Sequence, residues 1–182
     1  MSFDIKDAQM VAITGVSESG ETSLLNCLGS IQDLSSGNLF IDGKDCTNGN
    51  EKDKTNFWRN AAALIYPNYG IIDEESVLYN STFSNRKTDE KKAKKYLQKV
   101  GLVDKVKNPA STLSDGEKQR LGIARALYKK VSILFADEPT ASLDENNIET
   151  IIHLLKQFVR EGDSVILATH NKQLAQICDD II

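Results

Sequence analysis

Four short stretches of this chain carry groups able to do chemistry. The apolar run VSILFA, residues 131–136, leads straight into Asp137 and Glu138. Where a strand of an α/β sheet ends in carboxylates, the first can hold Mg²⁺, usually through water, and its neighbour can orient or deprotonate an attacking water. A second apolar run, SVILAT at 164–169, ends at His170, whose neutral imidazole could hydrogen-bond a terminal phosphate at the same sheet edge. The third stretch, GVSESGETS from Gly15 to Ser23, has the frame of a phosphate-binding loop. Thr22 supplies the hydroxyl that would ligate Mg²⁺ beside Asp137, but Glu21 stands where that loop places a lysine. A fourth stretch, LSDGEKQRLGIARAL at 113–127, opens with Ser114, Asp115, Gly116 and Glu117. A hydroxyl cap followed by free backbone N–H groups makes a helix start that attracts anions. Taken singly, each has a plain structural reading: an acidic loop, a structural histidine, a capped helix.

The elements that must position these residues are legible as alternating apolar runs and amphipathic segments. MVAIT at 10–14, AAALIY at 61–66, VSILFA and SVILAT read as buried strands. Asn38 to Ile41 reads as a further strand closed by Asp42-Gly43. Helices are expected over Thr22–Leu28, over most of 74–129 with a break at Asn108-Pro109, over 146–160, and from about Asn171. Apolar strands alternating with amphipathic helices predict an α/β fold with a parallel sheet covered on both faces. The central helical block reads as an insertion into that sheet.

Composition bounds the rest. The chain has 182 residues, 40% of them hydrophobic and 26% charged, enough for one domain with its own core. A net charge of −4 gives no basic field for nucleic acid. The lysine run at 91–95 reads as a solvated helix face. Three scattered cysteines, Cys27, Cys46 and Cys178, fit reduced cytosolic thiols rather than a disulfide framework or a metal site. No apolar run reaches the roughly 18 residues of a membrane span.

The order of the motifs is more specific than any one of them. The Gly-rich loop, LSDGE, the hydrophobic strand ending in DE, ASLD at 141–144, and a strand ending in His170 together resemble the ATP-binding-cassette ATPases over nearly the whole chain. In wording, the segment LLNCLGSIQDLSSGNLFIDGKD is similar to exporters of the lipoprotein-release, macrolide and bacteriocin type. The resemblance implies a P-loop NTPase (RecA-like) fold. It implies a core over 1–70 and 130–182, a helical subdomain over about 71–129, and a shortened N-terminal antiparallel β part. It implies ATP and Mg²⁺ as ligands. Gly15, Ser17, Glu18, Ser19, Gly20, Glu21, Thr22 and Ser23 would line the phosphates, and Thr22 and Asp137 the metal. Glu138 and His170 would be catalytic. Ser114, Asp115, Gly116, Glu117 and Asp144 would act across a head-to-tail dimer with a second nucleotide-binding subunit, identical or not. A membrane permease would dock near Pro67 to Glu75, holding the chain on the inner face of the cell membrane.

Four positions depart from that pattern: Glu21 for the loop lysine, Glu18 for a loop glycine, Asp115 for the first signature glycine, and Pro67 for the expected glutamine. Three of them place an acid where a polyphosphate should lie. The aromatic residue that stacks on adenine in the family also has no evident counterpart, since only MSFDI precedes the first strand, and CDDII stops where the family usually continues. The expectation is therefore an ATPase subunit with impaired ATP binding and hydrolysis at its own site. The alternatives are an inactive regulatory subunit lending its signature to a competent partner, or a folded relative without function. The loop's N–H groups and the helix dipole still attract an anion, which Glu18 or Glu21 could supply from within.

Overall fold

The structure, a computed structural model, describes residues 2–15, 20–66, 70–141 and 143–182. Ser17, Glu18, Ser19 and Pro67, singled out above, lie outside the described residues. Five strands form one parallel sheet in the order β4 (Ala62–Ile65), β5 (Ile133–Asp137), β6 (Ser164–Ala168), β1 (Met10–Ile13), β7 (Asp180–Ile181). The central strands are apolar throughout because helices cover both faces. Alternate side chains along each strand go to opposite layers. Leu134, Ala136, Val165 and Leu167 join one core cluster; Phe135, Ile166 and Ala168 join the other.

Helices α1 (Glu21–Leu28) and α2 (Glu51–Asn60) cover the Phe135 face, with Leu25 buried and Phe57 and Trp58 packed against Phe135. On the other face lie α5 (Asp115–Lys129), α6 (Glu145–Arg160) and the short α7 (Lys172–Gln176). Helices α3 (Val77–Thr82) and α4 (Lys87–Lys99) pack on α5, and α5 packs in turn on β4 and α6. The expected break at Asn108-Pro109 falls between α4 and α5, where Pro109 forms an isolated bridge with Ser76.

Three elements differ from expectation. The strand expected at Asn38–Ile41 is shorter: Phe40–Ile41 (β2) pairs with Lys44–Asp45 (β3) as a two-residue hairpin forming a separate antiparallel sheet. Asp42 and Gly43 turn it with φ of 51° and 72°, the geometry that suits the strand twist. Helix α2 has no counterpart in the sequence reading. Its apolar content is the adjacent pair Phe57 and Trp58, which makes no helical stripe, and its signal was the cap from Asn50 to the Asp53 N–H. Strand β7 is two residues long and stands at the sheet edge beside β1, too short to show a period.

Among the described residues, no helix is long and apolar enough to cross a membrane.

Candidate functional site

The carboxyl ends of β1, β5 and β6 meet the start of α1, and this junction gathers most of the candidate residues. Register sets it: Asp137 lies opposite Ala168, and Ala168 opposite Ile13, so the residues that follow these strands emerge together. Gly20, with φ of 100°, turns the chain into α1, a conformation that disfavours any residue with a β-carbon. Gly15 leaves β1 on the exposed side, and Ser23 is exposed on the first turn of α1.

Thr22 Oγ1 donates toward Asp137, 3.1 Å from each carboxylate oxygen. A hydroxyl and a buried carboxylate held this close are the donor set a hard divalent cation uses with water completing its shell, so the pair fits Mg²⁺. Glu138 is the next residue and has a φ of 46°, a left-handed conformation that costs energy in a non-glycine residue. Its backbone N–H donates to the Ala168 carbonyl at 2.9 Å. Its carboxylate accepts from the Thr169 hydroxyl at 3.1 Å and from the His170 backbone N–H at 2.8 Å. The acid is thus aimed by the loop after β6, and Thr169 is a positioning residue the sequence reading missed. Its only signal was its place beside His170.

The His170 imidazole, half exposed, lies between two carboxylates. Its Nε2 is 3.8 Å from Glu138 Oε1 and its Nδ1 is 3.7 Å from Glu21 Oε1. These separations exceed a hydrogen bond and become ion pairs when the ring is protonated. The Glu21 side chain is only 9% exposed. The head of α1 therefore presents a carboxylate that is turned inward, against the histidine. A lysine there would attract a polyphosphate; an ionised carboxylate would repel one. The Thr22–Asp137 pair fits Mg²⁺.

The LSDGE residues assemble elsewhere. Ser114 caps α5 by accepting from the Glu117 N–H, and Glu117 returns a bond to the Ser114 N–H, a reciprocal capping box. Burial raises the Glu117 carboxyl, but Lys105 at 2.6 Å and the Ser114 N–H outweigh it and hold the group below its ordinary range. Gly116 is buried against α6: a β-carbon there would lie 2.5 Å from Asn147 Oδ1. Asn147 is fixed in turn by Arg120 and by Asp144, the cap of α6. The Asn147 N–H, then its side chain, hold Asp144 below the usual carboxylate range. Asp115 is exposed on the first turn of α5. So Ser114 and Glu117 bond each other, while Asn147, missed in sequence like Arg120, packs under Gly116 and joins Asp144 to Arg120. Among the described residues, their further bonds reach Lys105 and the Val100 carbonyl, not Asp137 or Glu138.

Comparison with known proteins agrees with this fold. The family model described as ABC transporter matches residues 1–141. The lipoprotein-releasing system ATP-binding protein LolD of Ehrlichia canis is 39% identical over 183 residues, covering 96% of this chain and 81% of that protein. The macrolide export ATP-binding/permease protein MacB of Mannheimia succiniciproducens is 35% identical across 100% of this chain, which spans 29% of MacB. Among solved structures, the ATP-binding cassette MJ0796, dimeric in a post-hydrolysis state with ADP and Pi, superposes with a TM-score of 0.89 at 27% identity, covering 99% of this chain and 82% of that one.

Proposed function

Since the chain belongs to the ABC transporter family as a nucleotide-binding subunit, with its P-loop NTPase fold, we propose that it serves an exporter and that its own ATP site is impaired. The export assignment is supported by the LolD and MacB relatives. The observation that carries the impairment is Glu21, a buried carboxylate 3.7 Å from His170 at the head of α1. A unit charge about 4 Å from a phosphate charge is worth roughly 4 kcal/mol at an effective dielectric near 20. Replacing attraction by repulsion swings about twice that before relaxation, and each 1.4 kcal/mol is about tenfold in affinity.

The remaining roles follow from position. Thr22 and Asp137 hold Mg²⁺, Glu138 orients water, and His170 faces the terminal phosphate of whatever nucleotide binds. Ser114, Gly116, Glu117 and Asp144 serve a second nucleotide-binding subunit across a dimer, and residues 67–75 receive a membrane permease. In this scheme 1–70 and 130–182 are the nucleotide-binding core and about 71–129 the helical subdomain.

A second reading, in which the chain lends its signature to a competent partner, is favoured by one observation. The Ser114–Glu117 capping box and the Gly116–Asn147 fit are intact although the loop charge is reversed. Calorimetric titration of the chain with ATP and Mg²⁺ tests the proposal. Binding weaker than micromolar by orders of magnitude is expected; a micromolar dissociation constant restores the working enzyme.

A further inference from the structure

Two helices that serve different motifs are joined at their first turns by one side chain. Helix α5 leads into β5 and α6 into β6, neighbours in a parallel sheet. Both helices therefore run back across the sheet, and both start at its carboxyl edge. The exposed residues at those starts are Ser114 and Asp115 for α5 and Asp144, Glu145 and Asn146 for α6. Asn147, half-buried, lies between the two.

The Asn147 amide is engaged at both ends. Its Oδ1 accepts from Arg120 Nη1 at 2.5 Å, and its Nδ2 donates to Asp144 Oδ2 at 2.7 Å. Turning the amide over would set a donor against the guanidinium and an acceptor against the carboxylate. Capping α6 does not require this side chain. The cap is the Asp144 carboxylate accepting the Asn147 backbone N–H at 2.9 Å, a bond that any residue but proline supplies. The amide instead carries the contact on to α5 through Arg120, whose Nε also donates to the Val100 carbonyl at the end of α4, at 3.1 Å. The same amide accounts for a glycine. A β-carbon at Gly116 would lie 2.5, 2.6 and 2.9 Å from Asn147 Oδ1, Cγ and Nδ2, its three nearest atoms. All three belong to one flexible side chain, so an alanine at 116 would push the amide aside rather than spread the helices.

We propose that Asn147 is a positioning residue: it locks the LSDGE start of α5 to the Asp144 start of α6, so that Ser114, Gly116 and Asp144 meet a second nucleotide-binding subunit as one rigid face. A face presented by two locked helices loses less freedom on docking than one presented by two that move separately. That a subunit sits on this face rests on the function proposed above; the lock between the helices does not.

The test compares the whole wild-type chain with Asn147→Ala, Asn147→Asp, Gly116→Ala and the Gly116→Ala, Asn147→Ala double variant, at a temperature where circular dichroism shows each folded. Carbon-13 NMR titration of the Asp144 carboxyl reads the lock. Sedimentation with the LolD protein of Ehrlichia canis, in ATP and Mg²⁺, reads the role. In the wild-type chain the Asn147 backbone N–H, then its side chain, hold Asp144 below the usual carboxylate range. Asn147→Ala keeps the first bond and loses the second, so the titration should move part of the way up. Gly116→Ala should move it up as well and add nothing in the double variant, the mark of a direct contact. Association should weaken by about threefold to thirtyfold in either single variant, and the double should be no worse than Asn147→Ala. Asn147→Asp keeps the size and the Arg120 bond but turns an acceptor toward Asp144. It should weaken association too, and its near-identical shape keeps the test sound if an alanine variant fails to fold. An unmoved titration, or additive losses in the double variant, would overturn the lock. A moved titration with association unchanged would overturn the positioning role alone. A wild-type chain that does not associate would sink the reading of this face as a subunit contact, and the positioning role with it, while the titration still reports the lock.

Discussion

Replacing Glu21 first by Gln and then by Lys removes a carboxylate and then adds an ammonium at the head of α1, two equal charge steps for an ionised Glu21. The magnitude can be worked from the geometry. The Glu21 side chain is 9% exposed, so water screens it little, and it points toward His170 rather than out into solvent. A phosphate charge near 4 Å would feel about 4 kcal/mol per unit of charge at an effective dielectric near 20. Allowing half of that for relaxation and salt leaves about 2 kcal/mol, or roughly thirtyfold in affinity, per step. The Gln variant should therefore bind ATP about thirtyfold more tightly than the wild-type chain, and the Lys variant about a thousandfold. Isothermal titration with Mg²⁺ present measures all three, and raising the salt should shrink the spread. Three equal affinities would refute the charge argument. A gain at Gln with no further gain at Lys would place the effect in the lost contact with His170 rather than in attraction for phosphate.

Other outcomes follow from the same structure. Gly116→Val should destabilise the chain by about 1–3 kcal/mol in chemical denaturation, because the new side chain displaces Asn147 from Asp144 and Arg120. Gln119 is buried with neither amide atom hydrogen-bonded among the described residues, so Gln119→Met should raise stability by about 1 kcal/mol; a lower melting temperature would show that the amide is satisfied by water. Acid should weaken the fold in a defined window. Asp144 (held by Asn147), Asp89 (held by the Ser84 hydroxyl) and Glu161 (held by Lys99) all titrate below their ordinary values. A carboxyl lowered in the folded state stabilises it above the unfolded value, near pH 4, and loses that contribution as pH falls through the folded value. Stability measured against pH should decline below about pH 4, and Asp144→Asn should flatten part of that decline.

The chemistry-bearing residues were readable from sequence wherever a buried parallel strand ended. Such a strand is covered on both faces and so must be an unbroken apolar run, which made the positions of Asp137, Glu138 and His170 visible. Ser114 as a helix cap was readable for a similarly local reason, since a hydroxyl followed three residues later by Glu117 marks a capping box. Helix α2 was not, because its apolar side chains are adjacent rather than spaced along one face. Strand β7 was not, because two residues carry no pattern.

Sequence by itself determined the strand–loop–helix order, the identities at each strand end, and the reversed charge at position 21. Tertiary structure alone decided which of these meet. Strand order is a long-range property: β5, β6 and β1 are neighbours in the sheet though far apart in the chain, and their register brings Thr22 to Asp137 and Thr169 to Glu138. The same is true of Asn147 beneath Gly116, of Glu21 turned in against His170, and of Arg125 beneath Phe83. Each depends on two elements packing face to face, and no local propensity encodes which side chains that packing will oppose.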